Sequence, residues 1–347
     1  MNAPTPISGR LVLSRPDRLG DVVITSSCLE PVSRALPGVE IYLLAQAAYA
    51  PLFHQHPHLA GFLPLSGAAT AVARQEEMAE QLRRLAPSCL VHLQPHPEIE
   101  AAGAMAGIPR RVGFRLRGDK WLTESVPFTK KRGEKHEGYY NFEVLDRLGV
   151  TAPPQLRPCL SPEPAARERL AKKLPEGFSR TAYAVLHVGA HPGKSRVPAE
   201  IFAAVARGLV AEKGRDVVLI GAEKDDADAR GIRDALGPAA ARVFDLCGQT
   251  DVAEMAWLLR DAGVVFGRDS GPAHVAAAMG ARTVTLMLEP DQVNSARRWT
   301  PLGEHSRVLE KPLRRRLLES RARFARRNLR QYTPEEIAAA VKSAMEA

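Results

Sequence analysis

Three short runs of this chain gather side chains that can do chemistry. The first is Arg15-Pro16-Asp17-Arg18-Leu19-Gly20-Asp21. Gly20 permits close backbone approach, and Asp21 stands where a helix-like stretch begins. A carboxylate there is either the N-cap of that helix or a base at the carboxyl end of the preceding strand. The second run is Val188-Gly189-Ala190-His191-Pro192-Gly193-Lys194-Ser195. It misses the phosphate loop G-x-x-x-x-G-K-S by one residue, because Val188 occupies the first glycine position. Pro198 opens the next helix, whereas a phosphate loop runs directly into one, so a P-loop NTPase is not expected. A glycine loop carrying Lys194 and Arg196 still suits a pyrophosphate; the plain alternative is a solvated basic loop. The third run is Gly267-Arg268-Asp269-Ser270-Gly271-Pro272-Ala273-His274, continuing through Ala278 to Gly280. A strand ends in a polar turn and a small-residue helix follows, so the Gly271 and Ala273 amides favour an anion. Taken singly, His274 reads as a capping or packing residue and Asp269 as an N-cap.

Other chemistries lack their motifs. No G-x-G-x-x-G occurs, which argues against a nicotinamide enzyme, and there is no H-E-x-x-H, paired C-x-x-C or G-x-S-x-G. Cys28, Cys89, Cys159 and Cys247 lie far apart without ligand spacing and read as core.

The elements that position these runs alternate. Residues 10–14, 39–45 and 89–93 are strand-like, with helix-like stretches at 21–36 and 71–85. The pattern is irregular from about 115 to 180, where six prolines fall between Pro153 and Pro175, as at a domain boundary. Strand-like runs resume at 183–188, 216–221, 263–267 and 283–288, with helices expected at 199–213, 225–236, 252–262 and 271–279. In the first of these, Ile201, Phe202, Val205 and Leu209 form one apolar face. A chain of 347 residues has room for two domains. The expectation is α/β: two Rossmann-like domains, each a doubly wound parallel sheet, with ligands beyond the strand carboxyl ends and in the cleft between domains.

Composition narrows the class. Apolar residues are 45% and charged residues 25%, ordinary globular values. No apolar run approaches a membrane span. The first residues lack a basic and an apolar stretch, so no signal peptide is expected and the chain reads as reduced and cytoplasmic. The net charge of +9 is concentrated: residues 311–330 hold nine Lys/Arg against Glu319 alone, and residues 110–135 hold nine against three acids. Such clusters imply an anionic partner. Leu313, Leu317, Phe324 and Leu329 are interspersed in the first cluster, either as a membrane-docking stripe or within a solvated helix. Aromatic residues are only 5%, too few for nucleic-acid stacking platforms.

In this order the motifs resemble those of glycosyltransferase family nine, the bacterial lipopolysaccharide heptosyltransferases. Asp17-Arg18-Leu19-Gly20-Asp21-Val22-Val23 is similar to the amino-terminal signature. Asp245-Leu246-Cys247-Gly248-Gln249-Thr250, then Asp269-Ser270-Gly271-Pro272-Ala273-His274, is similar to the carboxyl-terminal one. Arg111-Val112-Gly113-Phe114 and His136 fall where the family has an R-x-G-F turn and a helix-opening histidine. The likeness runs from about residue 10 to about 310. It implies a GT-B fold: an acceptor-binding domain over 1–160, a nucleotide-sugar domain over 161–330, and a helix over 331–347 packing back toward the first. It also implies an inverting transfer of heptose or a related sugar from an ADP-sugar to a lipopolysaccharide core or other anionic lipid-linked saccharide. No metal or other cofactor is expected.

By the resemblance Asp21 is the general base. Lys194 and Arg196 neutralise the leaving group, Asp225 or Asp226 binds the ribose, and Thr250 with Asp269, Ser270, Gly271, Pro272 and His274 holds diphosphate and sugar. Arg18, Gly20, Arg111, Lys120 and His136 are assigned to the acceptor. A lipid-linked acceptor implies peripheral contact with the anionic inner face of the cytoplasmic membrane, and no nucleic acid. The chain departs from the family at Ser195-Arg196-Val197-Pro198, where Lys-x-Trp-Pro is usual, and at Met287-Leu288-Glu289-Pro290, where Phe-Gly is expected. It also carries arginines where relatives carry cysteines near the C-terminus. Two other readings stand beside this one: a nucleic-acid-binding protein using residues 311–330, and a catalytically idle relative. Retention of Asp21 and Asp269 argues against the latter.

Overall fold

A computed structural model describes residues 7–178, 183–191, 194–289, 291, 293–311, 313, 316 and 319–346, apart from the side chains of residues 212 and 213. The chain forms two compact units, Met1–Ser161 and Pro162–Ala347.

The first unit is built on β1 (Arg10–Ser14), β2 (Glu40–Ala45), β3 (Gly61–Pro64), β4 (Cys89–His92), β5 (Arg110–Arg115) and β6 (Glu124–Pro127). They pair in the order β3-β2-β1-β4-β5-β6. The second unit is built on β7 (Ala184–His187), β8 (Val217–Ile220), β9 (Val243–Asp245), β10 (Val264–Arg268), β11 (Thr283–Leu286) and β12 (Ser306–Leu309). Their order is β12-β11-β10-β7-β8-β9. All strand pairs are parallel. Counted within its own unit, each sheet has the 3-2-1-4-5-6 order of dinucleotide-binding folds. The central strands are continuous apolar runs: Leu11, Val12 and Leu13 in β1 and Val217, Val218 and Leu219 in β8 are fully buried. This is expected where helices cover both faces of a parallel sheet. Register levels the central carboxyl ends: Ser14 lies opposite Leu44 and His92, and His187 opposite Gly267 and Ile220.

The stretch expected as one helix over 21–36 is two, Leu19–Ser26 and Leu29–Ala35. Ser26 and Ser27 hydroxyls bond back to the Val23 and Ile24 carbonyls at 2.7 and 2.6 Å. Pro31 lacks the amide needed to carry the helix through, so it breaks and restarts. The region read as irregular contains β6 and a helix, Glu137–Leu145.

In the second unit Ile201, Phe202, Val205 and Leu209 are all buried. The final helix, Pro334–Glu346, packs on the Ala199–Lys213 helix and buries Ile337 and Val341 in the same core. Its apolar face therefore belongs to the core of the second unit. The arginine-rich helix, Arg321–Leu329, is capped by Ser320 and buries Phe324, Ala325 and Asn328. Leu329 packs against this core and Phe324 is buried; Leu317, Arg314 and Arg315 lie outside the described residues. Among the described residues no helix is long and apolar enough to cross a membrane.

Candidate active site

In each sheet the strand order reverses direction between two neighbours, β1 with β4 and β7 with β10. Ligands of such sheets bind beyond the carboxyl ends at that point.

In the first unit the chain leaves β1 at Arg15. Its side chain is 1% exposed, yet it makes a fan of polar contacts. One terminal nitrogen donates to Asp21 Oδ1 at 2.6 Å and Glu137 Oε1 at 2.9 Å, and lies 3.2 Å from Asp17 Oδ2. The other donates to Asn141 Oδ1 at 3.0 Å and the Leu93 carbonyl at 3.3 Å. Buried Lys130 joins from another loop, donating to Glu137 Oε1 at 2.6 Å and the Leu93 carbonyl at 2.8 Å. Burial works against a charge on Arg15, but Asp21, Glu137 and Asp17 outweigh it and hold the guanidinium more firmly protonated than usual. Burial and the neighbouring Arg15 depress Lys130 to about 8, against the pull of Glu137 and Asp21. Burial, with the negative charge of Asp21 adding to it, raises Asp17 despite Arg15.

The Glu137–Leu145 helix builds the floor of this network. His136 caps it by accepting the Gly138 amide at 3.1 Å, which sets Glu137 and Asn141 one turn apart on a single face. Gly138 permits the approach: a Cβ there would lie 2.5 Å from Leu156 Cδ1 and 3.2 Å from Ile24 Cγ2. Asp21 is not the N-cap of its helix. Arg18 holds that place without a side-chain bond, and Asp21 sits in the first turn, its side chain 15% exposed.

The acceptor-side assignments divide. Arg18 and Lys120 are exposed, Gly20 is buried beside Asp21, and His136 is the helix cap. Arg111 is not brought here. It lies toward the amino end of β5, and its guanidinium bonds the Ile108 carbonyl and, at 2.6 Å, the Trp121 carbonyl.

In the second unit, the Gly271–Ala278 helix opens at the end of β10. Ser270 is its N-cap but gives no side-chain cap; the hydroxyl instead meets His187 Nδ1 and the Arg268 carbonyl, both at 3.1 Å. Asp269 is thus not the cap either, and the helix terminus is left open to an anion. Burial lowers His187 to about 4, which keeps it neutral. His274 is buried, with Nε2 3.6 Å from Asp269 Oδ1, too far for a hydrogen bond. After β7, residue 195 is gripped on both sides: Glu289 accepts its amide at 3.0 Å and Arg268 donates to its carbonyl. The two segments where the sequence departs from the family pattern therefore meet in space.

Among the described residues the Lys194 amine has no hydrogen bond or ion pair. Its proton affinity is lowered by burial, against the pull of Asp269 and Glu289, and Arg268 and Arg321 lower it further. Arg196 is different: it pairs with both Asp225 and Asp228. Asp225, assigned to the ribose, lies inside the fold. It is buried between Gly189 and Gly221, accepts the Ala222 amide at 2.9 Å, and takes Arg196 on its other oxygen. Asp226 pairs with Arg230. Thr250 is half-buried beside a cavity of about 570 Å³ edged by Arg169, Lys172 and Lys173. The loop Pro192-Gly193 lies outside the described residues.

Residues 75–315 match the family model described as "Glycosyltransferase family 9 (heptosyltransferase)". The chain belongs to that family. It is therefore a glycosyltransferase. The Escherichia coli lipopolysaccharide heptosyltransferase 2 is 25% identical over 287 residues, 80% of this chain and 82% of that one. The solved E. coli ADP-heptose lipopolysaccharide heptosyltransferase II matches with a TM-score of 0.80 at 21% identity, over 97% of this chain and 98% of that one. The E. coli heptosyltransferase WaaC with ADP matches at 0.71 and 17% identity, over 96% and 99%. The fold is GT-B, as the alternation of elements and the family motifs led us to expect.

Sequence reasoning missed Arg15, Lys130, Glu137 and Asn141. Arg15 stood inside the first motif, and Glu137 directly follows the helix-opening histidine; these adjacencies were the available signal.

Proposed function

We propose that this family 9 glycosyltransferase moves a heptose, or a closely related sugar, from an ADP-sugar to a lipopolysaccharide-core-type, lipid-linked saccharide, with inversion and without a metal ion. The names of its relatives support donor and acceptor: a lipopolysaccharide heptosyltransferase 2, and solved proteins described with ADP-heptose and with ADP. The observation that carries the reading is Asp21. Its carboxylate lies beyond the carboxyl end of β1 with Oδ1 on Arg15, while Oδ2 has no partner among the described residues.

Asp21 takes the proton of the acceptor hydroxyl as that oxygen forms its bond to the anomeric carbon. The bond from this carbon to the β-phosphate oxygen breaks, and its electron pair leaves with ADP. Attack opposite the leaving group inverts the centre. The ammonium of Lys194, without a partner among the described residues, and the N-terminus of the Gly271–Ala278 helix meet the charge that develops on the diphosphate. Asp269 and His274, beside that terminus, are assigned to the sugar. On the acceptor side, exposed Arg18, Arg115, Arg117, Lys120, Lys131 and Arg132 suit an anionic saccharide. The enzyme meets that acceptor as a peripheral protein on the cytoplasmic face of the inner membrane.

The test is transfer from ADP-heptose in excess EDTA, with the product's anomeric configuration read by NMR. Turnover that persists and gives the inverted anomer is expected. Retention of configuration, or loss of activity restored by Mg²⁺, would contradict the reading.

A further inference from the structure

The Arg15 network holds more charge than a base alone requires. One ammonium and three carboxylates meet around one guanidinium, at a depth where an unpaired charge is costly. Arg15 is fixed from behind by groups that reach no ligand: Glu137 is 1% exposed, and Asn141 and the Leu93 carbonyl are buried with it. Lys130 shares Glu137 Oε1 with Arg15 and so holds that carboxylate in turn. Asn141 is itself tied to Thr25 Oγ1 at 3.3 Å, on the helix that carries Asp21. The Gln46 amide bonds the Asp17 carbonyl at 2.8 Å and holds the loop on its other side. The front of the fan is Asp21, bound through one oxygen only among the described residues.

We infer that Arg15, clamped by Glu137 and Asn141, is a positioning residue that occupies Asp21 Oδ1 and so commits Oδ2 to the acceptor hydroxyl. The inference rests on Asp21 being the base. A rigid donor on one oxygen removes the carboxylate's freedom to turn, and small misplacements of a reacting group are costly in rate. The same guanidinium also favours the ionised carboxylate, so removing it has a signature in pH. The charged and titratable groups in electrostatic reach of Asp21 are Arg15 and Asp17 from its own loop, Tyr49 from the 47–52 turn, and Lys130 and Glu137 from the other side. Loss of Arg15 leaves Asp21 beside Asp17 and Glu137 with Lys130 as the remaining cation, which raises its proton affinity. Loss of the Glu137 charge lowers it.

The experiment is the pH dependence of kcat for three variants of the full chain, each checked for its melting temperature. Arg15→Gln is expected to lose about 10²-fold in kcat and to move the acidic limb upward, because a close cation is lost. Glu137→Gln moves the limb the other way. Arg15→Lys keeps the charge but not the fork, so kcat falls with the limb in place. If Arg15→Gln does not fold, the opposite sign for Glu137→Gln and the unmoved limb of Arg15→Lys carry the test. Variant profiles that are scaled copies of the wild type, or an unimpaired Arg15→Lys, overturn the positioning role. If instead Asp21→Asn retains full turnover, the underlying assignment of the base fails and not this clamp alone.

Discussion

Burial decides which charges can act. Lys194 and Arg196 lie two residues apart on one loop, and the sequence gives them equal standing as phosphate ligands. In the folded chain Arg196 is neutralised by Asp225 and Asp228, whereas the Lys194 amine has no partner among the described residues. Lys194→Met is therefore expected to lower kcat by about 10²–10³-fold, the cost of losing one preorganised charge donor. Arg196→Gln should cost less than tenfold. Steady-state transfer assays check both, and the reverse ranking would exclude Lys194 from the leaving-group role. Residue types and motif order were legible for Asp21, Lys194, Asp269, Ser270 and His274. Depth was not. Nothing in the composition of Arg15-Pro16-Asp17-Arg18 tells that the first arginine is buried under three carboxylates while Arg18 faces solvent.

At the level of elements, apolar runs marked the central strands, since β1, β4, β7, β8 and β10 are buried along most of their length. The short outer strands β3, β6 and β12 are only partly buried and carry no such run. The Glu137–Leu145 helix was hidden for a different reason. Two of its inward positions are the polar Glu137 and Asn141, which break the 3.6-residue apolar period that identifies a helix. The element most needed by the site thus gave the weakest signal, because its buried face serves charge rather than core. Gly138 makes this face work. Gly138→Ala adds a methyl 2.5 Å from Leu156 and 3.2 Å from Ile24, and is expected to destabilise the chain by about 1–3 kcal/mol through overpacking. Transfer should fall with it, since Glu137 moves off Arg15. Urea unfolding and the transfer assay together check this; unchanged stability would mean that the helix yields without cost.

The whole molecule is a basic protein whose charge is arranged rather than spread. On the Arg321–Leu329 helix, Arg327 is locked to Glu319 at 2.7 and 2.9 Å, and that pair with the Arg316 amide lowers Glu319 to about 2. Arg323, Arg326 and Arg330 remain exposed opposite the buried Phe324 and Asn328. On the proposed reading, that face suits an anionic membrane surface through charge alone. Each such arginine contributes about 1 kcal/mol near an anionic surface. Replacing all three by Gln should abolish most co-sedimentation with anionic vesicles and leave transfer to a soluble acceptor intact. Equal binding to neutral vesicles, or no response to salt, would contradict it. The account as a whole turns on one carboxylate, Asp21, held by Arg15 and proposed as the base. Its most direct test is Asp21→Asn, with transfer from ADP-heptose measured beside ADP-heptose binding by calorimetry. We predict a loss of about 10²–10⁴-fold in transfer, with donor affinity changed no more than a few-fold; an Asp21→Asn enzyme that turns over at the wild-type rate would contradict the account.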